Sequence, residues 1–108
     1  MSTAPKAQVL HFPDMAAYQN ESIVSRQVTK ADAGNITLFA FDAGQELSEH
    51  TSPFDALVHV LDGETEVTIS GQRFQLRRGE AIILPADQPH AVKALSRSRM
   101  LLTMIRAS

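Results

Sequence analysis

The chain has 108 residues, 44% apolar and 20% charged, with ten Lys+Arg against twelve Asp+Glu and a formal charge of −2. One domain fits that length, since domains cluster near about 100–150 residues, and without a basic excess there is no footprint for nucleic acid. The absence of cysteine removes disulfides, thiolate nucleophiles and cysteine-ligated zinc or iron–sulfur sites.

Residues 1–8 are small and polar and read as a flexible tail, leaving 9–108 as the single domain. Residues 13–20 hold the one helical segment, opened by Pro13-Asp14 and ended by Asn20 within about two turns. The first strand is expected near 22–29, and from there the hydrophobic period is two. Ile36, Leu38 and Ala40 take one face of the second strand and Phe39 and Phe41 the other. Ala56, Val58 and Val60 face away from Leu57 and Leu61, and Met100, Leu102 and Met104 oppose Leu101 and Ile105. Glu64, Glu66, Thr68 and Ser70 alternate with Thr65, Val67 and Ile69, and Phe74 and Leu76 point inward along 72–78. The turn signals Asp62-Gly63 and Ser70-Gly71-Gln72 predict a three-strand meander. Residues 81–84 form a short apolar strand, and 85–89 a Pro-bounded loop. Eight or nine short strands at this spacing predict an antiparallel sandwich or barrel.

Strands apolar on both faces must be covered on both. Either the N-terminal segment or a second copy of the chain covers the outer face, and the second, a homodimer, is the expectation. The longest stretch without formal charge is nine residues, 33–41, far below the ~20 that cross a bilayer. The first residues lack the apolar run of a secretory signal, so the expected location is cytoplasmic, with no membrane or nucleic-acid partner.

Four histidines, His11, His50, His59 and His90, are the side chains suited to chemistry near neutral pH. Gly44 stands six residues before His50 and Gly63 thirteen after it. Gly79 stands six before Pro85, and Pro85 five before His90. In these registers the chain resembles the cupin superfamily, small β-barrels with two motifs, and in particular its small single-domain conserved-barrel members (the cupin 2 type). The first family motif is Gly, five residues, His, one residue, His, three or four residues, Glu, six residues, Gly. Here Gly44, His50 and Gly63 match, while Ser52 and Ala56 replace the second histidine and the glutamate. The second is Gly, five residues, Pro, one residue, Gly, two residues, His, three residues, Asn. Gly79, Pro85 and His90 match, while Asp87 and Ala94 replace the glycine and the asparagine.

The resemblance covers about residues 21–106 and implies an all-β cupin barrel, a jelly-roll-like double-stranded β-helix with one short N-terminal helical segment. In metal-binding cupins the ligands are the three histidines and the glutamate of these motifs, of which His50 and His90 remain. The expected function is therefore small-molecule binding, with His50, His90, Ser52, Val58 and Val60 as ligand-binding residues in an apolar pocket. The alternative is a metal-dependent dioxygenase, isomerase or lyase, with His50 and His90 holding a divalent transition metal. Asp55 and His59 fall on the outer face by strand parity, and Glu46, Glu49 and Gln88 lie in loops of unreadable direction. Met100, Met104, Phe39 and Phe41 suffice to line an apolar cavity, though such residues are more often simply core. Arg77-Arg78 and Arg97-Ser98-Arg99 read as solvated basic pairs, and His59 as an interface or partly buried residue.

Overall fold

Strand alternation builds two antiparallel sheets in the computed structural model, which describes residues 3–106. After a single helical turn, α1 (Phe12–Met15), come nine strands: β1 (Ile23–Ala31), β2 (Gly34–Phe41), β3 (Glu46–His50), β4 (Phe54–Asp62), β5 (Glu64–Ile69), β6 (Gln72–Arg77), β7 (Ala81–Leu84), β8 (His90–Ala94) and β9 (Ser98–Arg106). They form a five-stranded sheet, β1-β2-β9-β4-β7, and a four-stranded sheet, β3-β8-β5-β6. The inward residues of both sheets share one core of Phe41, Val58, Val60, Val67, Leu76, Leu84, Val92 and Met100. This is the expected all-β architecture.

The expected meander is corrected. Ser70-Gly71 does close a β5–β6 hairpin, with both residues at positive φ, 48° and 83°, as a turn matched to strand twist requires. Asp62-Gly63, however, closes no hairpin: β4 pairs with β7 and β9, and β5 with β6 and β8. Gly63 hands the chain from one sheet to the other. Its φ is +78°, and a Cβ there would meet the Arg97 carbonyl oxygen at 2.1 Å, so only glycine lets this corner press against the β8–β9 connection.

The N-terminal segment covers part of the outer face of the five-stranded sheet. Phe12, Met15, Ala16 and Tyr18 pack on Val24, Val28, Leu38, Ala40, Leu61 and Leu101. The helix is one turn instead of two. Arg99 Nε donates to the Ala16 carbonyl at 2.9 Å, and Ala16 is itself extended, so that carbonyl is withdrawn from any helical ladder. Within the expected tail, Ala4 is buried and its N–H donates to the Val28 carbonyl at 2.9 Å, which ties the segment down at that point. The rest of the outer face is open, and Leu57, Ile83 and Ile105 are 37%, 61% and 58% exposed. Among the described residues, no helix is long and apolar enough to cross a membrane.

Candidate functional site at the barrel mouth

His50 and His90 are direct cross-strand partners on β3 and β8. A bulge makes them so. Leu47 pairs with Val92, and two residues further along β8 but three along β3 His90 meets His50. Unbroken alternation from Leu47 would send Glu49 inward; the extra residue sends the imidazole there instead, the usual consequence of a bulge. On the other strand, the 85–89 loop delivers His90. Asp87 has φ +65°, so it adopts the left-handed backbone for which the family motif uses glycine, a conformation aspartate tolerates better than most residues. Its N–H donates to the Ser52 carbonyl at 2.8 Å, which fastens this loop beside the site.

The two rings face each other with Nε2 atoms 3.2 Å apart. His50 Nδ1 lies 2.7 Å from the Ser48 carbonyl and His90 Nδ1 3.2 Å from the Gln88 carbonyl. A carbonyl only accepts, so the neutral tautomer that donates from Nδ1 leaves its lone pair on Nε2, whereas a hydrogen on one Nε2 is donated to the other ring across the 3.2 Å contact. The ring centroids are 4.4 Å apart and the planes cross at 73°, an edge-on arrangement. In the tautomers that donate from Nδ1, two acceptors converge on one region, and a donor placed before them is shared by both. His90 is 5% exposed; burial, and then the neighbouring His50, hold its pKa below the usual histidine range. Its neutral, accepting form is thereby favoured.

Behind the pair is a small pocket of about 50 Å³. Leu47, Ser52, Ala56, Leu84, Val92, Met100, Leu102 and Met104 line it with the two histidines. Three of the five expected ligand-binding residues, His50, His90 and Ser52, are thus brought together. Val58 and Val60 share the inward face of Ala56 but are wholly buried in the packed core and do not line the pocket. The correction follows from depth along the strand, which parity does not report. Of the four candidates for an apolar lining, Met100 and Met104 fill that role, whereas Phe39 and Phe41 stack on each other with centroids 5.8 Å apart. Leu47, Leu84, Val92 and Leu102 complete the lining; alternation along a strand gives neither the level at which they meet the histidines nor, for Leu47, the strand itself.

The donor set falls short of the one the family resemblance implies for a metal. Ser52 Oγ accepts the Phe54 N–H at 3.1 Å and Ala56 donates nothing. Asp55 Oδ1 accepts the Ala86 N–H at 2.9 Å, while His59 is partly buried between outer-face neighbours on β7 and β9. Glu46 and Glu49 stand on β3 instead of in a loop, and both are exposed. Among the described residues, no group of three His, Cys, Asp or Glu side chains is placed to hold one ion. Two imidazoles without a third protein donor do not fit the three- or four-ligand site.

A two-sheet jelly roll with a small apolar pocket and paired histidines at its mouth defines the class of protein. The family model described as "Cupin domain" matches residues 37–106, and the chain belongs to that family. It is similar over its whole length to a conserved protein of unknown function from Streptococcus pyogenes, at 32% identity and a TM-score of 0.90, covering 97% of that chain. A cupin 2 conserved barrel domain protein from Leptotrichia buccalis is 38% identical over 85% of this chain, with a TM-score of 0.82, and 45% of that protein is covered. Among curated proteins, "Polyketide synthase CurC" of Streptomyces cyaneus is 33% identical over 61 residues, 56% of this chain. The match spans 40% of that relative's length.

Proposed function

We propose that this cupin binds a small organic molecule at the barrel mouth through the His50–His90 pair. The observation that carries the reading is the meeting of the two Nε2 atoms 3.2 Å apart, with each Nδ1 within hydrogen-bond reach of a backbone carbonyl. In the tautomers that donate from Nδ1, such a pair offers two acceptors and no donor. It selects a ligand that brings its own proton (a hydroxyl, phenol or enol), while Leu47, Met100, Leu102 and Met104 receive an apolar body. Enolisable carbonyls are the defining groups of polyketides, so the likeness to a polyketide synthase protein agrees with this ligand class.

Phenol and anisole test it, since they share the ring and differ in the donor. In an NMR titration phenol should shift the His50 and His90 imidazole signals, and anisole should bind at least about tenfold more weakly. His50→Ala should remove the difference. Equal affinities for the two probes, or a His50→Ala variant that still prefers phenol, would overturn the reading. One tightly held transition metal per purified chain would replace it with the metal-dependent enzyme.

The proposal extends to a homodimer. Leu57 and Ile83 are exposed cross-strand partners on β4 and β7, and Ile105 on β9, opposite Asp55 and diagonal to Leu57, adds a third exposed apolar side chain to the same face. A self-complementary contact on this face would bury it around a two-fold axis. Sedimentation at micromolar concentration should give a dimer, and Leu57→Lys a monomer, because the ammonium would have to be desolvated at the seam. A wild-type monomer would end the proposal.

A further inference from the structure

A second concavity lies on the other side of the five-stranded sheet from the barrel pocket. The N-terminal segment and the end of β4 border an open cleft of about 400 Å³, lined by Leu10, Phe12, Leu61, Asp62, Arg78 and Arg99 together with Pro13 and the Asp14-bound His11. Arg99 is not the solvated residue its sequence context suggests. Its side chain is 14% exposed, its guanidinium carbon stands 4.1 Å from the centre of the Tyr18 ring, and its Nε donates to Ala16. A guanidinium has five N–H donors, and here the rest lack a partner within bonding distance among the described residues, the Asp62 carboxylate lying 3.9 Å away. Asp62 instead accepts the Tyr18 hydroxyl at 3.0 Å. That phenol stays protonated, its pKa pushed up to about 12 by burial and by the bond to Asp62. Arg78, in the β6–β7 turn, has no ion-pair or hydrogen-bond partner among the described residues. Arg97, by contrast, is held by Asp42 at 2.9 Å and by Asn20 at 2.7 Å, and His11 by Asp14 at 2.8 Å.

The cleft thus sets two guanidiniums against one carboxylate, on an apolar floor. One further negative charge balances it, and a planar carboxylate matches the guanidinium fork. We infer that this cleft is a binding site for a monocarboxylate with a short apolar tail, whose head group bridges Arg78 and Arg99 while the tail lies on Leu10, Phe12 and Leu61. It is separate from the barrel mouth and stands whether or not the histidine pair binds a ligand.

Hexanoate and its neutral analogue hexanamide separate charge recognition from mere apolar contact. Calorimetry should show one saturable hexanoate site per chain, at least about tenfold tighter than hexanamide, as expected for a charge-assisted pair. Arg78→Gln, at an exposed turn position, should bring hexanoate down to the hexanamide level, while His50→Ala leaves it unchanged. NMR shifts should fall on the amides of Leu61, Asp62 and Arg99. Absent or unsaturable binding, equal affinity for the two probes, or an Arg78→Gln variant with wild-type affinity would overturn the site. So would loss of binding in His50→Ala, which would place the acid in the barrel.

Discussion

Replacing Ser52 by His and Ala56 by Glu together is expected to turn a weak metal binder into a tight one. Both positions line the pocket beside His50 and His90, so the new donors would enter the space on which the two Nε2 atoms already converge. Without metal, the variant should be less stable than the wild type, because a carboxylate at the 3%-exposed position 56 would be buried without a partner. Zinc should reverse that order, since an ion that binds only the folded state adds its binding free energy to stability. Calorimetric titration should give at least about a hundredfold tighter zinc binding than in the wild type, with a melting midpoint that rises with zinc. Failure of the double variant to gain affinity would mean that positions 52 and 56 do not reach the histidine pair.

Val60→Asp is the substitution expected to cost most in stability. Val60 is fully buried on the inward face of β4, and its backbone accepts from Gly79 and donates to Glu80. An unpaired carboxylate there costs several kcal/mol, on the order of the ~5–15 kcal/mol that holds a whole domain together. Val60→Ala, which removes only packing, should cost roughly 2 kcal/mol. The sign of the pH dependence distinguishes the two. Burial raises the introduced carboxyl's pKa in the folded state, so the folded form binds the proton more readily than the unfolded one. The deficit should shrink as pH falls toward the unfolded carboxyl range near 4 and grow as pH rises through the raised value. Urea denaturation at several pH values measures this directly. A Val60→Asp midpoint equal to that of the wild type would show that this face of β4 does not point into the core.

Local pattern made much of the fold legible. Period-two alternation correctly separated Ala56, Val58 and Val60 from Leu57, and Met100 and Met104 from Leu101 and Ile105. Gly-containing turns located the β5–β6 hairpin, and the glycine, proline and histidine registers identified the barrel. His50, His90 and Ser52 were readable as site candidates from those registers, because each has a fixed place in a motif whose strands are short and regular.

Other features depended on partners distant in sequence. Asp62-Gly63 looks like a hairpin turn by itself; the carbonyl of Arg97, packed against Gly63, accompanies the passage to the second sheet. The helical segment stops after one turn at Ala16, whose backbone is extended and whose carbonyl accepts from the distant Arg99. Arg99 itself belongs to a Tyr18–Asp62 cluster joining three separated parts of the chain. Most telling is the bulge in β3, which sends His50 rather than Glu49 toward His90. By itself, then, the sequence determined which residues are inward along most strands, because side-chain direction alternates residue by residue. Only the tertiary structure decided where that alternation breaks and at what depth each inward residue lies, because both are set by hydrogen bonds and contacts with strands far along the chain.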